Sequence, residues 1–204
     1  SATSGSIAIA GKALADWPLL ELAQQRSFLA QSRSDPFGYS ALESVLSARH
    51  PWAGQQYWER ASDRAIALAA LAQMEVQDLA ARDVRSLSGG ERQRIAIAAL
   101  LAQDTPLMLL DEPANALDLA HQVSVMRLLA EMCANQQKAA IMVVHDLNLA
   151  QRVASHVLLL YGDGRWLAGT KANMLQADLL SACLGHPLQV VQHGTQQIFL
   201  PLDE

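Results

Sequence analysis

The feature that most restricts the fold is a rhythm in the second half of the chain. Pro106-Leu107-Met108-Leu109-Leu110-Asp111 is a continuous apolar run that ends in a carboxylate. Ala139-Ala140-Ile141-Met142-Val143-Val144-His145 repeats the form, and Val157 to Tyr161 repeats it again. Helical patterns separate the runs, at Asp118 to Gln137 and Asp146 to Ala154. Short apolar strands alternating with helices predict an α/β fold with a mostly parallel sheet, buried on both faces. Ligands of such sheets bind beyond the carboxyl ends of the strands. Those ends carry Asp111-Glu112 and His145.

The remainder fits around this rhythm. Ile7 to Gly11 reads as a short strand closing at a turn, Leu19 to Gln25 as a helix, and Arg26 to Gln31 as a strand. Ser32 to Gly38 reads as loop. Tyr57 to Ala81 is Ala-rich, with Leu68, Leu71, Ala72, Val76 and Leu79 at helical spacing, and predicts one long helix. Ser88 to Gln103 predicts another. After the turn Gly162-Asp163-Gly164 come a strand near Arg165 to Ala168, a helical stretch and a hairpin around His193-Gly194.

Composition narrows the class. A chain of 204 residues with 51% hydrophobic content can bury a core and is not generally disordered. Aromatics are only 5%, so aliphatic side chains do the packing. Fifteen Lys+Arg against twenty Asp+Glu give a net charge of −5, which argues against a nucleic-acid footprint. Cys133 and Cys183 have no metal-ligand spacing and suit a reducing compartment. No apolar run reaches the length of a membrane span. Ser1 to Ser6 lacks the basic and apolar regions of a signal peptide.

Three segments carry chemistry, and each has a structural reading beside the functional one. Leu87-Ser88-Gly89-Gly90-Glu91-Arg92-Gln93-Arg94 contains a capping box, Ser88 to Glu91, ahead of an apolar helix. Adjacent glycines weaken a first helical turn but let backbone approach a ligand, and helix N-termini favour phosphate. Asp111-Glu112 is either a solvated acidic turn or a pair in which Asp111 binds Mg²⁺ and Glu112 polarises an attacking water. His145 is either structural or a donor to a phosphoryl oxygen. Asn115-Ala116-Leu117-Asp118 reads locally as a loop with a helix cap.

Taken in order, these motifs closely resemble the ATP-binding cassette (ABC) ATPases, over nearly the whole chain. By that resemblance Leu87, Ser88, Gly89, Gly90 and Glu91 are the signature motif, Leu107 to Asp111 is Walker B, and Glu112 is the catalytic glutamate. Asn115 to Asp118 is the D-loop and His145 the switch histidine. Gln31 stands where the family has its Q-loop glutamine, associated with Mg²⁺ and with coupling to the membrane subunit. The resemblance implies a P-loop NTPase-like core and a helical subdomain over about 32–85. Residues about 162–204 form a C-terminal extension of the same domain. Leu117 to Gln122, His145 to Ala150, Trp17 to Gln31 and Arg49-His50-Pro51 are similar to importer ATPases for ferric siderophores, haem and cobalamin.

That family implies ATP and Mg²⁺ as cofactors. It implies integral-membrane permease subunits, a second ATPase subunit and, indirectly, a periplasmic or lipoprotein chelate-binding protein as partners, with no nucleic acid. Its location is cytoplasmic, on the inner face of the bacterial membrane. Its Walker A loop, G-x-x-x-x-G-K-[ST], has no match here. The nearest segment, Gly5 to Ala13, is one residue too long and carries Ala13 where a hydroxyl is required. The sequence therefore reads as N-terminally truncated, with a strand, phosphate loop and helix of about thirty residues expected before Ser1. This polypeptide alone is expected to be inactive, with an exposed apolar patch or a dimer covering it. A degenerate cassette acting as an interaction module and a nucleic-acid-associated cassette are the alternatives.

Overall fold

The computed structural model describes residues 4–31, 38–53, 60–194 and 196–202. The chain divides into two compact units, Ser1–Val143 and Val144–Glu204. Most of the loop expected at Ser32 to Gly38 lies outside the described residues, as does the expected start of the long helix at Tyr57.

The first unit opens with a hairpin of β1 (Ala8–Ile9) and β2 (Lys12–Ala13), turning at Ala10 and Gly11, whose φ values are 49° and 77°. It continues through α1 (Leu19–Gln25), β3 (Arg26–Leu29), α2 (Ala41–Ser47), α3 (Ala61–Gln73), α4 (Gly89–Gln103), β4 (Leu107–Asp111), α5 (Leu119–Asn135) and β5 (Ala139–Val143). The sheet has the order β3-β4-β5, all parallel, with Leu29 paired to Leu110 and Asp111 to Val143. Ser27, Leu29, Met108 and Leu110 point to its buried face. The other face carries Phe28, Ile141 and Val143, which are 55%, 63% and 53% exposed. The expectation of a sheet buried on both faces is therefore corrected: the three strands have one covered face and one apolar, open face.

Cap chemistry sets the start of α2, α4 and α5. Ser40 opens α2 with a full capping box: Glu43 N–H donates to Ser40 Oγ at 3.2 Å, and Ser40 N–H donates to Glu43 Oε2 at 2.8 Å. The helix expected over Tyr57 to Ala81 ends early, at Gln73. Glu75 adopts a φ of 56°, Val76 N–H donates back to Leu71 O at 3.0 Å, and Glu75 N–H donates to Ala72 O at 3.0 Å. This is a Schellman motif with Glu where glycine is usual, held because Val76 is fully buried. Asp104 closes α4 in the left-handed region.

Arg49 and Trp52 satisfy the end of α4. Arg49 Nη1 donates to Ala102 O and Trp52 Nε1 donates to Gln103 O, both at 2.7 Å. Arg49 Nε also donates to Asp63 Oδ1 of α3 at 2.9 Å, and Asp63 is buried. One guanidinium thus joins the segment after α2 to α3 and α4.

The second unit contains α6 (Leu147–Val153), β6 (His156–Leu160), β7 (Trp166–Thr170), α7 (Lys171–Met174), α8 (Ala177–Leu184), β8 (Leu188–His193) and β9 (Gln196–Pro201). The apolar run at Val157 to Tyr161 supplies β6, an arm of an antiparallel hairpin within this unit. It pairs antiparallel with β7, and β8 pairs antiparallel with β9. Leu159, Leu175, Leu180 and Phe199 form this unit's core. Among the described residues, no helix is long and apolar enough to cross a membrane. Both cysteines are free thiols.

Candidate functional site

The acidic end of β4 is built by the ladder itself. Glu112 N–H donates to Val143 O at 3.0 Å, one link beyond β4. Its φ of 48° then turns the chain out of the sheet, a conformation uncommon for a residue with a Cβ. Asn115 N–H donates to Glu112 O at 3.0 Å and closes the turn. Parallel pairing of β3 with β4 brings the segment after Leu29 alongside the segment after Leu110.

That register delivers Gln31 to Glu112. Gln31 Nε2 donates to Glu112 Oε1 at 2.8 Å, and Asn115 Nδ2 donates to Oε2 at 3.2 Å. Three residues singled out in the sequence thus meet at one carboxylate, held from both sides by amides. Asp111 lies at the last position of β4, on the alternation that includes Leu107 and Leu109.

The Ser88 segment folds as its local chemistry demands. Ser88 N–H donates to Glu91 Oε2 at 2.7 Å, and Glu91 N–H donates to Ser88 Oγ at 3.3 Å. These hydrogen bonds hold the Glu91 carboxyl below the ordinary range, with Arg82 and Arg94 adding to the effect. The close approach at the glycines comes from the chain itself. A Cβ on Gly90 would lie 3.0 Å from Ala116 O, and one on Gly89 would lie 3.7 Å from Ala116 Cβ. Ala116 has a φ of 63°, and its N–H donates to Asn115 Oδ1 at 2.8 Å.

Asp118 caps α5, accepting from His121 N–H at 2.9 Å and sitting 2.8 Å from His121 Nδ1. The backbone bond, and then the imidazole, hold its carboxyl below the usual range. His121 Nε2 lies 3.2 Å from Arg94 Nη1, so its partners assign a tautomer with hydrogen on Nδ1. Arg94 also donates to Met74 O and Glu75 O at the end of α3. Gln93 Nε2 donates to Pro113 O at 2.9 Å, and Gln122 Nε2 donates to Leu117 O at 3.0 Å.

Gln93, Arg94, His121 and Gln122 also build the site. Their signal is weak in the sequence: polar side chains in the first turns of two helices, with partners 19–27 positions away for the arginine. His145 lies in the second unit, exposed in the bend before α6, which Asp146 caps by accepting from Asn148 and Leu149 N–H groups. Lys12 sits at the start of the second hairpin strand, 4.5 Å over the Trp17 ring and 3.9 Å from Glu21. Ala8 to Ala13, within the Gly5 to Ala13 segment, is thus a tight hairpin, and the next α-helix begins only at Leu19.

The family model described as ABC transporter matches residues 1–115. The chain belongs to the ABC transporter family.

Among its relatives is the hemin import ATP-binding protein of Rhodococcus jostii, 41% identical over 93% of this chain and 64% of that protein. The petrobactin import ATP-binding protein of Bacillus anthracis is 38% identical over 87% of this chain and 65% of its own length. The chain therefore spans just under two thirds of those two relatives. A solved ABC transporter assigned to the metal-chelate type, in an inward-facing conformation, superposes with a TM-score of 0.79. It is 34% identical over 89% of this chain and 73% of that chain. The α/β cassette fold with a parallel sheet is thus that of an ABC ATPase domain, homologous to chelate-import ATP-binding proteins.

Proposed function

We propose that this ABC chain works as the ATP-hydrolysing component of an importer for a metal chelate such as haem or a ferric siderophore. The observation that carries the reading is the Gln31–Glu112–Asn115 cluster at the carboxyl ends of adjacent parallel strands. Glu112 would accept the proton of the water that attacks the γ-phosphate, with Gln31 and Asn115 fixing its orientation. The first turn of α4, shaped by the Ser88–Glu91 capping box, would present the Gly89 and Gly90 N–H groups to the nucleotide of a second cassette. Asp118 and Asn115 would hold the facing loop, and His145 would donate to the developing phosphoryl charge.

Asp111 and the side-chain oxygen of Gln31 are hard donors, and Mg²⁺ suits one or two protein oxygens completed by phosphates and water. Bound there, Mg²⁺ would neutralise phosphate charge. The partners of this reading are a second cassette and integral-membrane permease subunits, served by a chelate-binding protein on the far side. The location is the cytoplasmic face of the membrane. Closure on ATP and reopening after hydrolysis would move the permease.

The protein expressed from its gene is expected to hydrolyse ATP, and Glu112→Gln to lower turnover by at least about a hundredfold. Turnover unchanged in that variant overturns the assignment. Residues 1–204 contain no G-x-x-x-x-G-K-[ST] segment. A polypeptide of these residues alone is therefore expected to show negligible ATPase activity, as in the interaction-module reading. ATP binding by the gene product separates the two readings.

A further inference from the structure

The second unit holds a cavity of about 590 Å³ walled by α6, the first turn of α7 and the β8–β9 hairpin. Strand alternation makes its chemistry unusual. Leu188 and Val190 face the core, with Phe199 opposite Val190. The next position on the same face is Gln192, whose cross-strand partner is Gln197. Both amides line the cavity, where continued alternation would place apolar side chains.

Two cations join them. Lys171 Nζ donates one hydrogen bond, to Gln151 O at 2.7 Å, which leaves it two further protons. Arg152 lines the same cavity and has no hydrogen-bond or ion-pair partner among the described residues. No described Asp or Glu lines it. Asp146 is committed to capping α6, and Asp163 is bound to Arg165. In a chain of net charge −5, two cations and several amides share a cavity whose described lining holds no carboxylate.

The walls are tied together before any ligand arrives. Asn148 Nδ2 donates to Phe199 O at 3.2 Å, and Phe199 N–H donates to Asn148 Oδ1 at 2.8 Å, fixing α6 to β9. Lys171 N–H donates to Ser155 O at 2.9 Å. A guanidinium, an ammonium and amide donors lining one cavity match a ligand group that offers several acceptor oxygens, two of which a guanidinium can contact at once.

We infer that this cavity is a binding site for a small oxyanion, a phosphate group or a carboxylate, separate from the nucleotide-handling residues. The site stands on the second unit alone and does not depend on the proposed transport role.

Titration calorimetry on the 204-residue chain, at physiological ionic strength, tests it with two probes, inorganic phosphate and citrate. Saturable binding of at least one at millimolar or lower concentration is expected. Phosphate alone assigns a phosphorylated ligand, and citrate alone a carboxylate. Arg152→Gln should weaken that binding about tenfold or more, because a charge-assisted contact is lost where no partner among the described residues is disturbed. Gln197→Leu should weaken it with the melting temperature retained. Arg127→Gln, at an exposed pair with Glu131 in the first unit, should leave it unchanged. Absence of saturable binding by both probes overturns the site, as does an affinity that Arg152→Gln does not alter. If Gln197→Leu fails to fold, Arg152→Gln decides the matter alone.

Discussion

Gln31 Nε2 donates to Glu112 Oε1 at 2.8 Å although 81 positions separate the two residues. The contact follows from register: β3 and β4 run in parallel, and each site residue lies two positions past the paired Leu29 and Leu110. Because the bond is exposed, it contributes little to folding and acts on the orientation of the carboxylate. Gln31→Ala is expected to change unfolding stability by less than about 1 kcal/mol. It should also lower the proposed ATP turnover by about tenfold or more. Chemical denaturation and a turnover assay on the same variant separate the two effects.

Gly89 and Gly90 should respond differently to alanine. Both lie in the first turn of α4, where alanine normally improves a helix by up to about 1 kcal/mol. At Gly89 the added methyl meets an ordinary contact, but at Gly90 it lies 3.0 Å from the Ala116 carbonyl oxygen. Gly89→Ala should be neutral or stabilising, and Gly90→Ala less stable than Gly89→Ala. Urea unfolding of the pair checks the order, and equal stabilities would refute the proposed packing of Gly90 on the 112–118 turn.

Arg49→Ala is expected to be the most damaging of these changes. It leaves the Asp63 carboxylate buried without its cation and removes the donor to Ala102 O. Losing one partner of such a pair typically costs about 3–5 kcal/mol. Lysine should not restore it, since one ammonium cannot reproduce two guanidinium directions. A loss below about 1 kcal/mol in denaturant unfolding would contradict this account.

The depressed carboxyls set the acid side of the stability profile. Ser40, Ser88 and His121 hold Glu43, Glu91 and Asp118 below their ordinary values, respectively. A depressed folded-state pKa stabilises the fold above the unfolded value, about 4 for a carboxyl, and that stability is lost as pH falls through the folded value. Unfolding free energy should therefore rise with pH across the acid range, with a shallower slope in Ser88→Ala and Asp118→Asn. Slopes identical to the unmutated chain would refute the linkage.

The open face of the β3-β4-β5 sheet should bind an apolar dye or drive self-association at micromolar concentration, since Phe28, Ile141 and Val143 present contiguous hydrophobic surface. Ile141→Lys should reduce either signal. A monomeric, dye-silent chain would show that this face is covered in solution.

The sequence by itself determined what is local. Ser88, Asp118 and Asp146 cap their helices because each needs only N–H groups two or three residues ahead. The range of α1, the strands at Leu107 and Ala139, and the ordered motifs that mark the family were equally legible. The tertiary structure decided what depends on distant partners. Burial of Val76 stopped α3 at Gln73 without a glycine, and antiparallel pairing joined β6 to β7. An apolar run shows that a strand wants neighbours, but backbone hydrogen-bonding groups are alike in every residue other than proline. Only the assembled chain selects which edge they meet, which face stays open, and which amides close on Glu112.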